Sequence, residues 1–298
     1  MYEYGKIIIN FITPFISELQ SDTIFGHFAW GLRYKDENKL NLLMQKFENE
    51  PFIIFSDAFL KDFLPKPFFS SFLSDCNELE YVKQVKKSKY IQKDKFFENI
   101  NNLSSNKVFE IIKNQEINSN LKVSITQKNS INRFTNLVEE GLYTIKEKFN
   151  KDEYEIYFKY KSDLITKKEI EEIFEDISKI GYGKDRSTGK GRFKFRIDWS
   201  FKEKNYFIDK KRFYLNLSTC FYNPKNMVLI YGKTITKFPK AGSFYSNEPY
   251  KNPSIMYLPG SIFMVDGEIV GKAENLYNKK NHYQNGFSIG IYFDGEVQ

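Results

Sequence analysis

Gly181-Tyr-Gly-Lys-Asp-Arg-Ser-Thr-Gly-Lys-Gly-Arg192 is the stretch that decides the fold of this chain, because a helix is predicted directly before it and a strand directly after it. Four glycines, two lysines and two arginines lie among its twelve residues. Glycine accepts positive φ, and successive N–H groups of such a loop can surround an anion. The stretch, called the glycine loop below, therefore predicts contact with phosphate groups.

The spacing within the glycine loop excludes two common nucleotide-binding motifs. A Walker A motif requires Ser or Thr after its lysine, but Gly191 follows Lys190. A dinucleotide fingerprint starting at Gly181 would need a third glycine where Arg186 stands. Both motifs also lead from a strand into a helix, which is the reverse of the order predicted here.

The predicted helix before the loop has clear ends. Thr166-Lys-Lys-Glu169 fits a capping box at its start, and Gly181 is the glycine that would end it. One face of the helix is apolar and carries Ile170, Ile173, Phe174, Ile177 and Ile180. This periodicity predicts a helix packed against a core.

The segment after the loop alternates with the period of a strand. One face carries the cations Arg192, Lys194 and Arg196, and the other face is apolar. An edge strand protected by cations against aggregation would show the same pattern. The adjoining glycine loop favours a nucleic-acid backbone as the partner of this basic face.

Length and composition set the class of protein. A chain of 298 residues predicts two domains, or one with large insertions. The net charge of +7 favours a polyanionic partner. Cys76 and Cys220 match no metal spacing and suggest free thiols in a reducing cytosol. We find neither a signal peptide nor a membrane-length apolar run, so we expect a cytoplasmic protein. We expect no cofactor.

The order of predicted elements suggests the architecture. Residues 1–200 read as strand and helix, an insertion, and then strand, helix, glycine loop and strand, which is typical of a ferredoxin-like or RRM-like sheet. Residues 201–298 contain strands separated by Pro and Gly and predict a second, β-rich domain. Residues 77–120 fit no pattern that we can interpret.

Two further features of the first domain bear on function. Ser21-Asp22-Thr23 is predicted to cap the first helix, with His27 on the side away from its apolar face. Leu121–Thr126 and Gly141–Ile145 are predicted to pair as a hairpin. The polar stretch between these strands, Lys128–Thr135, would then form the hairpin tip.

The glycine loop resembles that of the RAMP proteins of CRISPR systems, and further stretches narrow the resemblance. The set is similar to subunit four of the type III-A (Csm) effector complex. Besides the loop, the matching stretches are Ser21–Gly26, Ser56–Phe59, Leu64–Pro67, Asn132–Arg133, Glu139–Tyr143 and Pro259–Phe263. They run through both predicted domains.

The resemblance implies an α+β protein with two ferredoxin-like RAMP domains, the first carrying an insertion and a thumb-like β-hairpin. It implies a non-catalytic subunit that holds the 5′ handle of the CRISPR RNA (crRNA). Its protein partners would be the large Palm-domain subunit and a backbone RAMP subunit.

The resemblance also assigns RNA contacts to particular residues. The handle phosphates would lie along Gly181, Gly183, Lys184, Arg186, Ser187, Thr188, Gly189, Lys190, Gly191, Arg192 and Lys194. The hairpin tip would contribute Asn132 and Arg133, and the first helix would contribute Ser21, Asp22, Thr23 and His27. For Ser21 to Thr23, a phosphate or base contact and plain helix capping remain equal alternatives.

Two catalytic alternatives are open to the sequence. A RAMP endoribonuclease that processes precursor crRNA could use His27 as general acid or base, although no second acid–base partner is evident and His282 lies in a Pro/Gly-rich tail. A metal-dependent nuclease would need Asp36 or Asp57, and neither belongs to a cluster with ligand spacing. We therefore expect an RNA-holding subunit that is not an enzyme.

Overall fold

The computed structural model of the chain describes residues 1–69, 79–116, 120–132, 134–135, 138–240, 250–277 and 283–297. Within these ranges the fold is mixed α and β, as predicted. The helices are α1 (Ser21–Lys35), α2 (Glu37–Gln45), α3 (Leu79–Lys87), α4 (Lys93–Glu98), α5 (Ser105–Asn114) and α6 (Lys167–Ile180).

The strands divide between a first half and a second half of the chain. Those of the first half are β1 (Tyr2–Phe11), β2 (Ile53–Phe55), β3 (Phe59–Leu60), β4 (Phe63–Pro65), β5 (Tyr90–Gln92), β6 (Leu103–Ser104), β7 (Lys122–Ile131), β8 (Val138–Phe149), β9 (Tyr154–Lys161) and β10 (Phe193–Asp198). Those of the second half are β11 (Phe213–Asn216), β12 (Met227–Tyr231), β13 (Thr234–Lys237), β14 (Ser254–Tyr257), β15 (Ile262–Val265), β16 (Val270–Asn275), β17 (Tyr283–Ser288), β18 (Gly290–Phe293) and β19 (Gly295–Glu296).

An antiparallel sheet in the order β10-β1-β9-β2 organises the first half. In its register, Ile8 of β1 lies opposite both Glu155 of β9 and Arg196 of β10. Helices α1 and α6 pack on the apolar face of this sheet, where the Phe28 ring of α1 contacts the rings of Phe55 and Phe174. The sheet therefore holds the glycine loop, which joins α6 to β10, at its β10 edge.

The predictions for α6 and β10 are confirmed, except that Ile180 of the predicted apolar face is exposed. Thr166 and Glu169 form the capping box, and Gly181 ends the helix with φ +103°. On β10, Phe193 is buried while Lys194 and Arg196 are exposed. The period-two pattern therefore sorts this strand as expected.

The predicted cap of the first helix is wrong. Helix α1 begins at Ser21 itself and Gln20 is its N-cap, without a side-chain capping bond. The free N–H of Ser21 instead donates to the buried carboxylate of Asp57, at 2.9 Å. A residue distant in sequence therefore accepts the hydrogen bond that a local capping residue usually accepts. The local sequence cannot reveal such a contact.

The predicted hairpin is confirmed as β7 and β8. Thr126 lies opposite Ile145 in the antiparallel register, which has irregularities towards the tip. Residues 79–116, which the sequence pattern left uninterpreted, hold α3, α4, α5 and two short strands. Of these strands, β5 pairs with β4 and β6 runs parallel to β19.

The second half is built from strands. A four-stranded sheet runs β12-β15-β11-β18, and β13–β14 and β16–β17 form two separate pairs. From residue 213 onward, the described residues include no α-helix. The core is continuous between the halves, since the ring of Phe47 packs on that of Phe287 at 5.4 Å. The boundary at residues 200 and 201 stays a prediction.

Two further predictions concern the cysteines and membrane-spanning segments. Cys220 is a buried free thiol whose pKa is raised by burial, and Cys76 lies outside the described residues. In the described part of the chain, no helix combines the length and hydropathy needed to cross a membrane.

Candidate nucleic-acid interface

The two ends of the glycine loop pack backbone against backbone. A Cβ atom on Gly181 would overlap the carbonyl oxygen of Lys190, and one on Gly191 would overlap that of Tyr182. Both positions have positive φ, +103° and +71°. Glycine is therefore required here by close approach within the protein, whereas a Cβ at Gly189 would meet nothing within 4 Å.

Most N–H groups of the loop are used inside the protein. Tyr182 N–H donates to Gly191 O at 2.8 Å, and Gly191 N–H donates to Pro14 O at 2.8 Å. Lys184 N–H donates to Ser17 Oγ at 2.9 Å. These bonds leave the side chains of the loop, more than its amides, as the groups that can meet an anion.

The glycine loop is also held by a segment that the sequence pattern did not mark. Thr13–Gln20, called the connector, leads from β1 to α1. Its Thr13 Oγ1 accepts from Arg192 N–H at 2.8 Å, and its Glu18 carbonyl accepts from the Tyr182 hydroxyl at 2.8 Å. Hydroxyl residues and a proline lie in this segment, but they show no periodicity that would have marked it.

The β7–β8 hairpin is joined to the glycine loop by two ion pairs. Lys128 pairs with Asp185 at 3.1 Å, and Lys190 pairs with the buried Glu147 at 2.7 Å. The hairpin also binds the connector through Lys148, which pairs with Glu18. The charge of Lys190 is therefore already balanced within the protein.

Other cations of the loop and of β10 remain uncommitted. Lys184, Arg192 and Lys194 are exposed, and no carboxylate in the described residues lies within ion-pair distance of them. Arg196, by contrast, is bound by Glu153, whose pKa falls to about 2 because Arg196 and then Lys61 donate hydrogen bonds to it. The basic face of β10 thus offers Lys194 and the adjoining Arg192 to a ligand.

His27 lies against the underside of the loop. Its Nε2 accepts from Gly183 N–H at 2.9 Å, and its ring packs on Tyr182 at 4.8 Å. Burial and then the charge of Arg186, whose Nη1 lies 3.3 Å from Nδ1, lower the pKa of His27 to about 4. Since Nε2 accepts a bond, the neutral ring carries its proton on Nδ1.

Ser21 and Asp22 lie at the junction of α1 with the second half, whereas the Thr23 side chain contacts Tyr182 of the glycine loop. Ser21 is fully buried and its hydroxyl donates to Thr219 O at 3.1 Å. Asp22 accepts from Gln284 at 2.7 Å and pairs with Lys237. Thr23 is half-buried and its hydroxyl lies 3.4 Å from Asp22 Oδ1.

The hairpin tip is described only in part. Asn132 Oδ1 accepts from the N–H groups of Phe134 and Thr135, at 2.7 and 3.2 Å, and so shapes the turn. Arg133 and His282 lie outside the described residues. Ser187 and Thr188 are exposed on the glycine loop, beside Lys184.

The two carboxylates considered for a metal site have other contacts. Asp36 caps α2 by accepting from Lys39 N–H at 2.8 Å. Asp57 accepts from Ser21 N–H and also from the N–H and hydroxyl of Thr219, at 2.7 and 2.8 Å. Across the described residues, no group of three or more His, Cys, Asp or Glu could hold a metal ion.

Comparison with known proteins gives similarity at the level of structure. No protein-family model matches the chain, and no curated protein matches its sequence. A chain from a Csm1–Csm4 cassette in complex with AMPPNP has a TM-score of 0.60 at 17% identity, over 99% of this chain and 100% of that chain.

A second solved structure is a Csm3–Csm4 subcomplex of the type III-A CRISPR-Cas interference complex. It matches with a TM-score of 0.60 at 18% identity, over 97% of this chain and 99% of that chain. Another Csm1–Csm4 cassette, in complex with cA4, also reaches 0.60 at 15% identity. Csm4 is common to these complexes, so the resemblance to the subunit-four RAMP protein is confirmed at the level of the fold.

Proposed function

We propose that this protein is a non-catalytic, RNA-binding subunit of a type III-A CRISPR effector complex, and that it holds the 5′ handle of the crRNA. The observation that carries this proposal is the group of exposed cations Lys184, Arg192 and Lys194, in and next to the glycine loop, for which the described residues supply no carboxylate partner. Such cations bind phosphate groups. The three cations follow one another along the backbone from the loop into the strand.

The fold supports the same proposal. The strand order β10-β1-β9-β2, with α1 and α6 on one face, is the fourth-first-third-second order of a ferredoxin-like domain. We assign this domain to residues 1–200 and a second RAMP domain to residues 201–298. The similar solved chains come from complexes of Csm4 with Csm1 or Csm3, so we propose the large Palm-domain subunit and a backbone RAMP subunit as protein partners.

The geometry of His27 supports a holding role over RNA cleavage. A general base must have a free lone pair near its substrate. The Nε2 lone pair of His27 accepts the Gly183 N–H, and Nδ1 faces Arg186. We propose that His27 supports the loop from inside the protein, and that Arg186, which contacts His27, faces the RNA.

The test neutralises the unpaired cations only. A variant with Lys184→Gln, Arg192→Gln and Lys194→Gln is compared with a control of equal charge change, Lys202→Gln, Lys210→Gln and Lys225→Gln, which are exposed elsewhere. Fluorescence anisotropy with repeat-derived RNA should show roughly tenfold weaker binding for the first variant at 0.1 M salt. Its log–log salt slope should fall by about 2, since each phosphate contact of single-stranded RNA contributes about 0.7. Equal affinities of the two variants would reject the assignment.

A further inference from the structure

The outer edge of β10 is open. Strand β10 is the terminal strand of its sheet and pairs with β1 on one side. In the described part of the chain, no strand pairs with its other side. The six residues of β10 span about 20 Å, which leaves a row of backbone donors and acceptors able to pair with an added strand.

A groove runs along this open edge. It has a volume of about 500 Å³ and lies between β10 and the outer side of α6. Its apolar floor is formed by the half-buried Phe195 and Ile197. A polypeptide in extended conformation fits such a groove, because alternate side chains can point onto the floor while the backbone pairs with the edge.

The wall of the groove decides which kind of partner fits. Its charged residues are Lys35, Glu171, Glu172, Glu175, Asp176 and Arg196. Arg196 is bound by Glu153. Lys35 is shared between Glu172 and Asp176, at 3.3 Å from each. The groove therefore has an excess of negative charge, which repels RNA and attracts cations.

Glu171 accepts from Trp199 Nε1 at 3.0 Å, and the remaining ion pairs of the acidic wall are exchangeable. Lys168 and Lys179 approach Glu172 and Glu175 from the same helix, at 3.9 and 2.8 Å, with side chains 85% and 70% exposed. Exposed pairs of this kind contribute only about 0–1 kcal/mol. Lysine or arginine side chains of a partner can replace them at little cost.

We propose that β10 accepts an added strand from a partner protein, and that this strand carries lysine or arginine at alternate positions facing α6. The partner belongs to the assembly described under the proposed function, on which this inference rests for its biological setting. One strand thus serves two partners, with its basic face and the glycine loop turned to RNA and its edge turned to protein.

The first test uses synthetic hexapeptides and amide hydrogen exchange of the full chain. A peptide of alternating lysine and valine should slow exchange within residues 193–198 by about tenfold at saturation. A glutamate–valine peptide should not, because its charges oppose the acidic wall. A lysine–valine peptide that is N-methylated at every amide should not either, because it has no N–H left to donate to the edge of β10. No slowing with the first peptide, or equal slowing with all three, would overturn the proposal.

A variant pair links the effect to the groove. Glu171→Lys with Glu175→Lys should abolish protection by the lysine–valine peptide and permit protection by the glutamate–valine peptide. Glu98→Lys with Glu110→Lys, on exposed parts of α4 and α5, is the control and should behave as the wild type. An unchanged preference in the groove variant would overturn the proposal.

The assembled complex gives the final test. Residues 193–198 should be protected there, and carbodiimide should cross-link Glu171 or Glu175 to a lysine of another protein subunit. Cross-links only to a second copy of this chain, or protection by repeat RNA alone, would overturn the proposal. RNA affinity measured on the same preparations separates the two ideas: its loss in the cation variant concerns the proposed function, and peptide protection concerns the edge.

Discussion

The two sides of β10 differ in how their charges are used. On the side of the glycine loop, Lys184 in the loop and Lys194 in β10 are exposed and have no carboxylate partner among the described residues. Along the edge, four carboxylates of α6 lie over an apolar floor and pair with Lys35 and with the exposed Lys168 and Lys179. The net charge of +7 hides this division, because a single sum cannot show that one surface suits phosphates and the other suits basic peptide.

Among the substitutions that test this comparison, the largest effect on stability should come from Gly191. Gly191→Ala places a Cβ against the Tyr182 carbonyl at positive φ, so we expect the free energy of unfolding to fall by about 3–5 kcal/mol. RNA binding should be lost together with the loop structure. Gly189→Ala, at φ +86° but with open space around it, should cost only about 1 kcal/mol. Urea denaturation measures both, and equal costs would contradict the backbone packing.

The next effect should come from the ion pair that fixes the hairpin. Lys190→Met leaves the buried Glu147 without its partner, so unfolding free energy should fall by about 2–3 kcal/mol. Adding Glu147→Gln should recover part of the loss, because no unpaired charge remains. Chemical denaturation of the single and double variants gives the coupling energy. Strictly additive losses would show that the pair does not join hairpin and loop.

A smaller effect should come from His27. His27→Ala removes the acceptor of the Gly183 N–H and should cost about 1–2 kcal/mol, with RNA affinity reduced severalfold. His27→Gln places an oxygen near the Nε2 position and should restore both. Incubating repeat RNA with the wild type without metal should give no cleavage. Specific cleavage that His27→Gln abolishes would instead establish the endoribonuclease.

The pH dependence of His27 has a defined sign. Its pKa of about 4 in the folded protein lies below the ordinary value of about 6.5, so the unfolded state takes up the proton first. The stability it contributes is complete above pH 6.5 and is lost as the pH falls from 6.5 to 4. The wild type should therefore lose stability relative to His27→Gln over that range, as thermal denaturation at several pH values would show.

The smallest effect on RNA binding and peptide protection should come from Asp57, which binds the start of α1. Burial raises its pKa to about 6, so protonation favours the folded state and its ionisation lowers stability as the pH rises from about 4 to 6. Asp57→Asn should lack this slope and leave RNA binding and peptide protection unchanged. A pH profile parallel to that of the wild type would contradict the buried ionisation.

Patterns with a local cause could be predicted from sequence. The capping box and apolar face of α6, the glycine that ends it and the alternation of β10 all depend on near neighbours, and each was found. The pairing of β7 with β8 followed in the same way. The resemblance then added the fold of a subunit-four RAMP protein, which similar solved chains support.

Contacts between distant parts of the chain could not be predicted. Ser21 and Asp22 look like a local cap, yet Asp57, Thr219 and Lys237 bind them. The partners of Lys190 and Arg196 lie more than forty residues away, so the sequence could not separate committed cations from free ones. The acidic groove was missed because the carboxylates of α6 resemble any solvated helix face until β10 is placed beside them.

The backbone packing at Gly181 and Gly191 has a consequence for evolution. It fixes the frame of the loop without using the side chains at positions 184, 187 and 192. Under the proposed function, substitutions at those positions would alter which RNA is preferred while the frame persists. A protein that holds RNA as proposed could therefore follow a changing repeat sequence at little structural cost.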